Sequence, residues 1–307
     1  MQRSAVIAFC FGLLAAPATG LAQQQQPENI VLNENDTKQL SPHVWALFGN
    51  PNIGIVVGSK GTLVIDTGLG KRNGATVAAA AAKLRKGGNL YLATTHFHPE
   101  HVTGQAGFPA GTVVIRPTVQ QKELEESGIA LIDFFRSRSD VNKELLVDAG
   151  IDKADILFDK EMTLDLGDVT VRMMFFGPTH TNGDIIFMVE PDHVMVSGDI
   201  VQNKFVILPI GTQTNIRAWI GVLDKVAELK PTLILPDHSQ PGDSSMFAEQ
   251  KAFMVDLLDQ AQAAKKQGKS VEDTVTVLTE EFKKKYAGWQ RPGNLTRAIT
   301  QAYKEAQ

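Results

Sequence analysis

The 307-residue sequence is 43% hydrophobic and 21% charged, with a formal net charge of −4, which is enough apolar content for one large domain or two modest ones. It lacks the basic stripe that a nucleic-acid surface needs to displace counterions from phosphates, so no nucleic-acid partner is expected. Its one cysteine, Cys10, excludes a disulfide framework.

The chain opens with Met1-Gln2-Arg3, an apolar run from Ser4 to Ala16, and the small-residue trio Gly20-Leu21-Ala22. This is the three-part pattern of a secretory signal peptide over residues 1–22, cut after Ala22. The run is short of the ~20 residues of a spanning helix, so no membrane span is expected after cleavage. Cys10 lies inside the run and not at its end, which argues against a lipid anchor. The mature chain then has no thiol, a charge of about −5, and a periplasmic or secreted location.

Residues 23–43 read as a polar lead-in. Strands are expected over Val44–Phe48, Ile53–Val57 and Thr62–Ile65, the last closed by Asp66-Thr67-Gly68. A helix follows over Asn73–Leu84, with the run Ala78–Ala82 allowing it to lie close on a sheet. Asn89–Thr95 is an apolar strand, Val113–Arg116 another, and Thr118–Ser127 and Ala130–Val147 read as two helices. The second half repeats strand, turn and polar cluster. Val169–Phe176 is followed by Gly177-Pro178-Thr179-His180, a hairpin over Asp184–Glu190 and His193–Ser197 ends in Gly198-Asp199, and Ile216–Leu229 is an amphipathic helix. Thr232–Leu235 leads to Pro236-Asp237-His238. The domain is taken as residues 44–243. Residues 244–307 read as a helical extension packed on it, with Val271, Val275, Leu278 and Phe282 on one face and Ser270 and Asp273 as a capping box.

Thr95-His-Phe-His-Pro-Glu-His101 holds three of the chain's seven histidines. On an extended backbone, His96 and His98 leave the same face. Pro99 ends the strand, and Glu100 and His101 follow in the turn. Two imidazoles at a rigid strand end, with a carboxylate and a third imidazole beside them, suit Zn²⁺ or a similar cation. His180, Asp199 and His238 also follow apolar strands, and the carboxyl ends of strands are where open sheets carry function. His43 and His193 lack that setting and read as surface or packed residues.

These five motifs, in this order and strand context, resemble the metallo-β-lactamase superfamily over roughly Val44 to Ser244. The resemblance implies a four-layer αβ/βα sandwich of two mixed β-sheets flanked by helices, with a dinuclear metal site at one edge. It implies a structural role for Asp66. His96, His98 and His180 match the ligands of a first metal, His101 and His238 match ligands of a second, and Asp199 matches the carboxylate that can bridge both. The usual motif has aspartate where this chain has Glu100. The added methylene displaces the carboxylate by roughly 1.5 Å, against a tolerance of about ±0.2 Å in metal–ligand distance. Three outcomes stay open: Glu100 binds the second metal, acts only as a general base, or leaves the second site weak or empty.

The resemblance implies one or two Zn²⁺ per chain, with Fe retained as an alternative. The reaction implied is attack of a metal-held hydroxide on the activated carbonyl of a small molecule (ester, lactone, thioester or β-lactam), with Glu100 or Asp199 supplying a proton. The lactamase subclasses with a cysteine ligand are excluded, because Asp199 occupies that position. The alternatives are a β-lactamase proper, an iron-dependent sulfur dioxygenase-like enzyme, and a non-catalytic metal- or ligand-binding protein. Lys204 and Phe205 are candidates for lining the substrate mouth, Asp184 for orienting a ligand histidine, and Phe134 and Phe135 for a lid or a buried helix face. Trp219 reads as core. The oligomeric state stays open.

Overall fold

The computed structural model describes residues 29–307; the expected signal peptide lies outside the described residues. Among the described residues, twelve strands form two sheets. The first, in spatial order, contains β1 (Thr37–Gln39), β2 (Val44–Leu47), β3 (Ile53–Val57), β4 (Gly61–Ile65), β5 (Asn89–Ala93), β6 (Val113–Pro117) and β7 (Ile156–Phe158). The second contains β8 (Glu161–Asp165), β9 (Thr170–Met174), β10 (Ile186–Glu190), β11 (Val194–Gly198) and β12 (Leu233–Pro236), with β12 and β8 at its edges. Both are mixed: β4 to β7 pair in parallel and β11 pairs in parallel with β12, while the remaining pairs are antiparallel. The α-helices of the described residues flank them: α1 (Gly70–Leu84), α2 (Pro99–Val102), α3 (Thr118–Ser137), α4 (Asp140–Leu145), α5 (Ile216–Ala227), α6 (Ser245–Lys266), α7 (Val271–Lys285) and α8 (Leu295–Glu305). Among the described residues, no helix is long and apolar enough to cross a membrane.

The layering follows from period-two alternation in strands that are apolar on both faces. In β4, Leu63 and Ile65 enter the core between the sheets, while Val64 turns to α1 and packs with Val77, Ala80 and Ala81. In β10, Phe187 and Val189 face the inter-sheet core, while Ile186 and Met188 join the helical side with Trp219 and Phe253. The layers therefore run helix, sheet, sheet, helix, which is the expected sandwich. Full burial of each such side chain contributes about 1.5–3 kcal/mol. The small residues of α1 permit close approach: a Cβ at Gly74 would meet the Gly104 carbonyl oxygen at 1.8 Å.

The C-terminal helices share one core with β9–β12 and α5, through Phe247, Leu257, Leu278, Phe282 and Ile299. Ser270 caps α7 by accepting the Asp273 amide at 3.0 Å.

Several boundaries differ from expectation. The helical region after β6 breaks at Arg138–Ser139 and not near Gly128. Gly128 is buried against Leu124 and Ile151 and stays helical, whereas the Ser139 side chain accepts the Asn142 amide and starts α4. The short strands β1, β7 and β8 were not anticipated; β1 and β7 are three residues each, and all three strands are intermediate or exposed at most positions. Of the phenylalanine pair on α3, Phe135 is buried and Phe134 is 58% exposed. Trp219 is fully buried, and its indole N–H donates to the Ile200 carbonyl.

Candidate metal centre

The histidine window is built differently from a simple strand end. β5 stops at Ala93, and Thr94 to His98 leave the sheet as a loop. The reason lies in Thr95: its amide donates to Asp66 Oδ1 at 2.8 Å, where a neighbouring strand would otherwise accept it, and its side chain contacts Asp66 Oδ2 and Asp237 Oδ2, each at 2.9 Å. Alternation therefore does not align His96 and His98; the loop does, with ring centroids 4.5 Å apart. Pro99 begins α2, whose single turn presents Glu100 and His101. The other contributors follow β9 (His180), β11 (Asp199) and β12 (His238). Gly198 has a φ of +56°, and a Cβ there would lie 2.8 Å from Thr95 Cβ, so glycine lets β11 end against the histidine loop.

Among the described residues, three groups of side chains lie close enough to share a cation. They are His96, His98 and His180; His96, His101 and Asp237; and Glu100, His101 and His238, with the donor atoms in each group within 4.8 Å of one another. Asp199 stands between them. Its Oδ2 is 3.3 Å from His180 Nε2 and 3.9 Å from His96 Nε2, while its Oδ1 is 3.5 Å from His238 Nε2. The donor set fits a divalent metal. His96, His98 and His101 Nε2, Glu100 Oε2 and Asp237 Oδ1 are buried without a hydrogen-bond partner, and buried polar atoms left without one are costly.

Outer contacts aim the rings. His180 Nδ1 donates to the Leu208 carbonyl, which leaves Nε2 as the lone-pair nitrogen. His238 Nδ1 lies 2.6 Å from Asn50 Oδ1, and His101 Nδ1 lies 3.0 Å from Asp66 Oδ2. Burial lowers the pKa of His96, His98 and His238, with the neighbouring charges acting in the same direction; it takes His180 to about 4. These four imidazoles are neutral near pH 7, as ligands must be. For His101, burial acts downward but is outweighed by Asp66, Asp237 and Glu100, which raise it to about 10. Burial raises Glu100, and it raises Asp199 to about 8 against the pull of His101. Without a bound cation, the centre therefore holds protons that a cation would displace.

The sequence matches the metallo-β-lactamase superfamily over residues 46–238, more than half of the chain. The chain belongs to this superfamily. Among solved structures, a metallo-β-lactamase from Pontibacter korlensis is 18% identical, with a TM-score of 0.58 over 71% of this chain and 97% of that one. The stereoselective inverting sec-alkylsulfatase Pisa1 from Pseudomonas sp. is 15% identical, with a TM-score of 0.66 over 88% of this chain. This chain spans about half of the alkylsulfatase's length, the overlap being 50%. At these identities the likeness is one of fold. The comparison with curated proteins gave no match.

The superfamily fold gathers every residue singled out as a ligand: His96, His98, Glu100, His101, His180, Asp199 and His238. It also adds residues that the motifs alone did not mark. Asp237 precedes His238 and reaches the centre from the same turn. Thr95, Asn50 and Gln202 anchor it, Gln202 by donating to Asp199 Oδ1 at 2.8 Å. Asp184 does not orient an imidazole directly. It accepts the Thr179 hydroxyl and the Thr181 amide and hydroxyl, tying the turn that carries His180. Phe205 is buried, and its ring stacks on that of His238 at 6.0 Å. Lys204 is exposed and left-handed, with φ 51°, so it does not share that place. His43 packs against Asp192 at the turns between the strands, while His193 is exposed.

Behind the turn of His180, Glu123 Oε1 accepts the Asn182 amide at 2.9 Å, and burial raises its carboxyl to about 7. A carboxyl raised on folding contributes stability that is complete below the unfolded value near 4.5 and is lost as pH rises through 7. Glu123→Gln keeps the acceptor and does not titrate. The difference in melting temperature between pH 5 and pH 8 is therefore expected to shrink in the variant; an unchanged difference would refute the assignment.

Proposed function

We propose that this protein is an exported metal-dependent hydrolase of a small molecule with an activated carbonyl: an ester, lactone, thioester or β-lactam. The observation that carries the proposal is the set of buried, partnerless imidazole nitrogens placed on both sides of the Asp199 carboxylate. Superfamily members are mostly hydrolases. His96, His98 and His180 would hold one cation, and Glu100, His101 and His238 a second, with Asp199 between them. A divalent metal such as Zn²⁺ would lower the pKa of water to about 7 and polarise the acceptor oxygen. The chain's own groups do the rest. Leu208, Asn50 and Asp66 fix the ring orientations, and the rings of Phe97 and Phe135 pack beside His98 and that of Phe205 beside His238. With the cations bound, Glu100 and Asp199 are ionised, and either carboxylate is placed to take the proton of the attacking water and relay it to the leaving group.

A second reading rests on the overlap with an alkylsulfatase over 88% of the chain, which reaches beyond the residues matched by the superfamily. It is hydrolysis of a sulfate ester. Both readings are tested on purified protein with nitrocefin, a lactone series, a thioester and an alkyl sulfate. Turnover of one class, abolished by chelation and restored by Zn²⁺, is the expected result. Turnover that survives complete metal removal would overturn the proposal, as would an intact, metal-loaded protein that hydrolyses none of them. Recovery with Fe²⁺ alone would assign iron.

A further inference from the structure

Helix α6 turns an apolar stripe into the core it shares with β9–β12, with Met246, Phe247, Phe253, Met254 and Leu257 at helical spacing. Gln250 interrupts that stripe and is 2% exposed. A buried amide is costly unless its donor and acceptor are both used, and here they are. Gln250 Oε1 accepts the Gln202 N–H at 2.7 Å, and its Nε2 donates to the Ile200 carbonyl at 2.8 Å. Leucine or methionine would fill the stripe without needing such partners, so the amide is explained by what it grips. It grips the segment that carries Asp199.

Asp199 to Asn203 lie between β11 and α5, outside both sheets, and several of their backbone groups are met by side chains instead of by a strand. The Trp219 indole also donates to the Ile200 carbonyl, and Asn203 N–H donates to Ser239 Oγ at 2.7 Å. The Ser239 hydroxyl in turn donates to Gln202 Oε1 at 2.8 Å, beside the His238 N–H at 3.3 Å. The oxygen of the Gln202 amide therefore faces the His238 turn. Its nitrogen donates to the Gly198 carbonyl at 3.0 Å and to Asp199 Oδ1 at 2.8 Å. One buried side chain thus ties the carboxylate after β11 to the imidazole-bearing turn after β12, while its own main chain is held by α6. Metal–ligand distances are specified to about ±0.2 Å, so a small shift of this segment is enough to loosen a cation.

We infer that Gln250 is a positioning residue of the metal centre, setting through Gln202 where Asp199 and His238 stand. It lies beyond residue 238, where the superfamily match ends, so the C-terminal helices belong to the working site as well as to the outer layer. The inference rests on the metal-centre half of the functional reading and is independent of which substrate is hydrolysed. Gln250 touches neither metal nor substrate.

The test measures the Zn²⁺ affinity of metal-free protein by competition with a chromophoric chelator. Wild type is compared with Gln250→Met, Gln202→Met, the double variant and Leu257→Ala. Gln202→Met is expected to weaken binding about 10- to 100-fold, the range for outer-shell partners, and Gln250→Met about 10-fold. The loss in the double variant should fall well short of the product of the two, because both substitutions act on one segment. Leu257→Ala removes packing two turns along the same stripe, so it should lower the melting temperature and leave the affinity unchanged. The visible spectrum of Co²⁺-loaded protein, which reports coordination geometry, should change in Gln250→Met and not in Leu257→Ala. Gln250→Asn keeps the amide but shortens its reach by roughly 1.5 Å; it should lie between, and it carries the comparison if Gln250→Met does not fold. Wild-type affinity with an unaltered Co²⁺ spectrum in a folded Gln250 variant would overturn the inference. So would losses that multiply in full, or an equal loss in Leu257→Ala, which would mark general destabilisation. A wild type that binds no metal defeats the metal-centre reading and this role together. A wild type that binds metal and hydrolyses nothing defeats the hydrolase reading alone, since the affinities still decide the role of Gln250.

Discussion

His180→Ala is expected to cost the protein at least one bound metal ion and essentially all of its turnover. The imidazole is buried, its Nδ1 is committed to the Leu208 carbonyl, and its Nε2 faces Asp199 at 3.3 Å. It shares a group with His96 and His98 in which every member supplies a ligand atom. Alanine leaves two imidazoles and a carboxylate where a tetrahedral site needs four donors. Loss of an outer-shell partner weakens metal binding about 10- to 100-fold, so loss of a direct ligand should exceed about 100-fold. Metal per chain after dialysis against a buffered Zn²⁺ series gives the stoichiometry and affinity directly, and a circular-dichroism spectrum checks that the sandwich persists. A variant that retains wild-type metal content at limiting Zn²⁺ would remove His180 from the centre.

The second large effect belongs to a residue that touches no substrate. Asp66 is fully buried with a φ of 72°, and its carboxylate meets the Thr95 amide and hydroxyl and His101 Nδ1. Removing one partner from a buried ionic network costs about 3–5 kcal/mol, because the other is left desolvated and unpaired. Asp66→Ala is therefore expected to lower the melting temperature by roughly 10 °C. The loss should depend on pH in metal-free protein. His101 is raised on folding from 6.5 to about 10, with Asp66 the largest of the charges opposing the effect of burial. A base raised on folding contributes stability that is complete below the unfolded value and lost as pH rises through the folded one. The gap between wild type and Asp66→Ala should accordingly be wide at pH 6.5 and narrow towards pH 10. A gap that is constant with pH would show that the pair is not ionic, and a gap near zero throughout would show that it does not hold the loop.

The two substitutions separate roles that look alike in sequence. Both positions follow apolar strands and sit beside glycine, threonine or proline. Only the surroundings distinguish a ligand with an open nitrogen from a carboxylate whose oxygens are consumed by Thr95 and His101. The same holds for Asp237, which occurs in the Pro236-Asp237-His238 turn but showed no role until Thr95 and His101 were seen against it. Glu100 illustrates the reverse case. Its extra methylene was legible as a departure, yet its reach was not. One turn of helix starting at Pro99 sets where the carboxylate goes, and it goes into the group with His101 and His238.

What the amino-acid sequence determined by itself was the layered architecture and the identity of the metal-seeking side chains. Alternating apolar strands such as Leu63-Val64-Ile65 and Phe187-Met188-Val189 each bury two faces, and this forces sheets between other layers. Imidazoles and carboxylates at strand ends are local patterns that survive in one dimension. What only the tertiary structure decided was which outer groups aim them. Asn50 reaches His238 across 188 positions, and the Leu208 carbonyl reaches His180 across 28. Such contacts depend on how two distant backbones dock through ordinary amide–carbonyl bonds, and those bonds are the same whatever the side chain that happens to be carried between them.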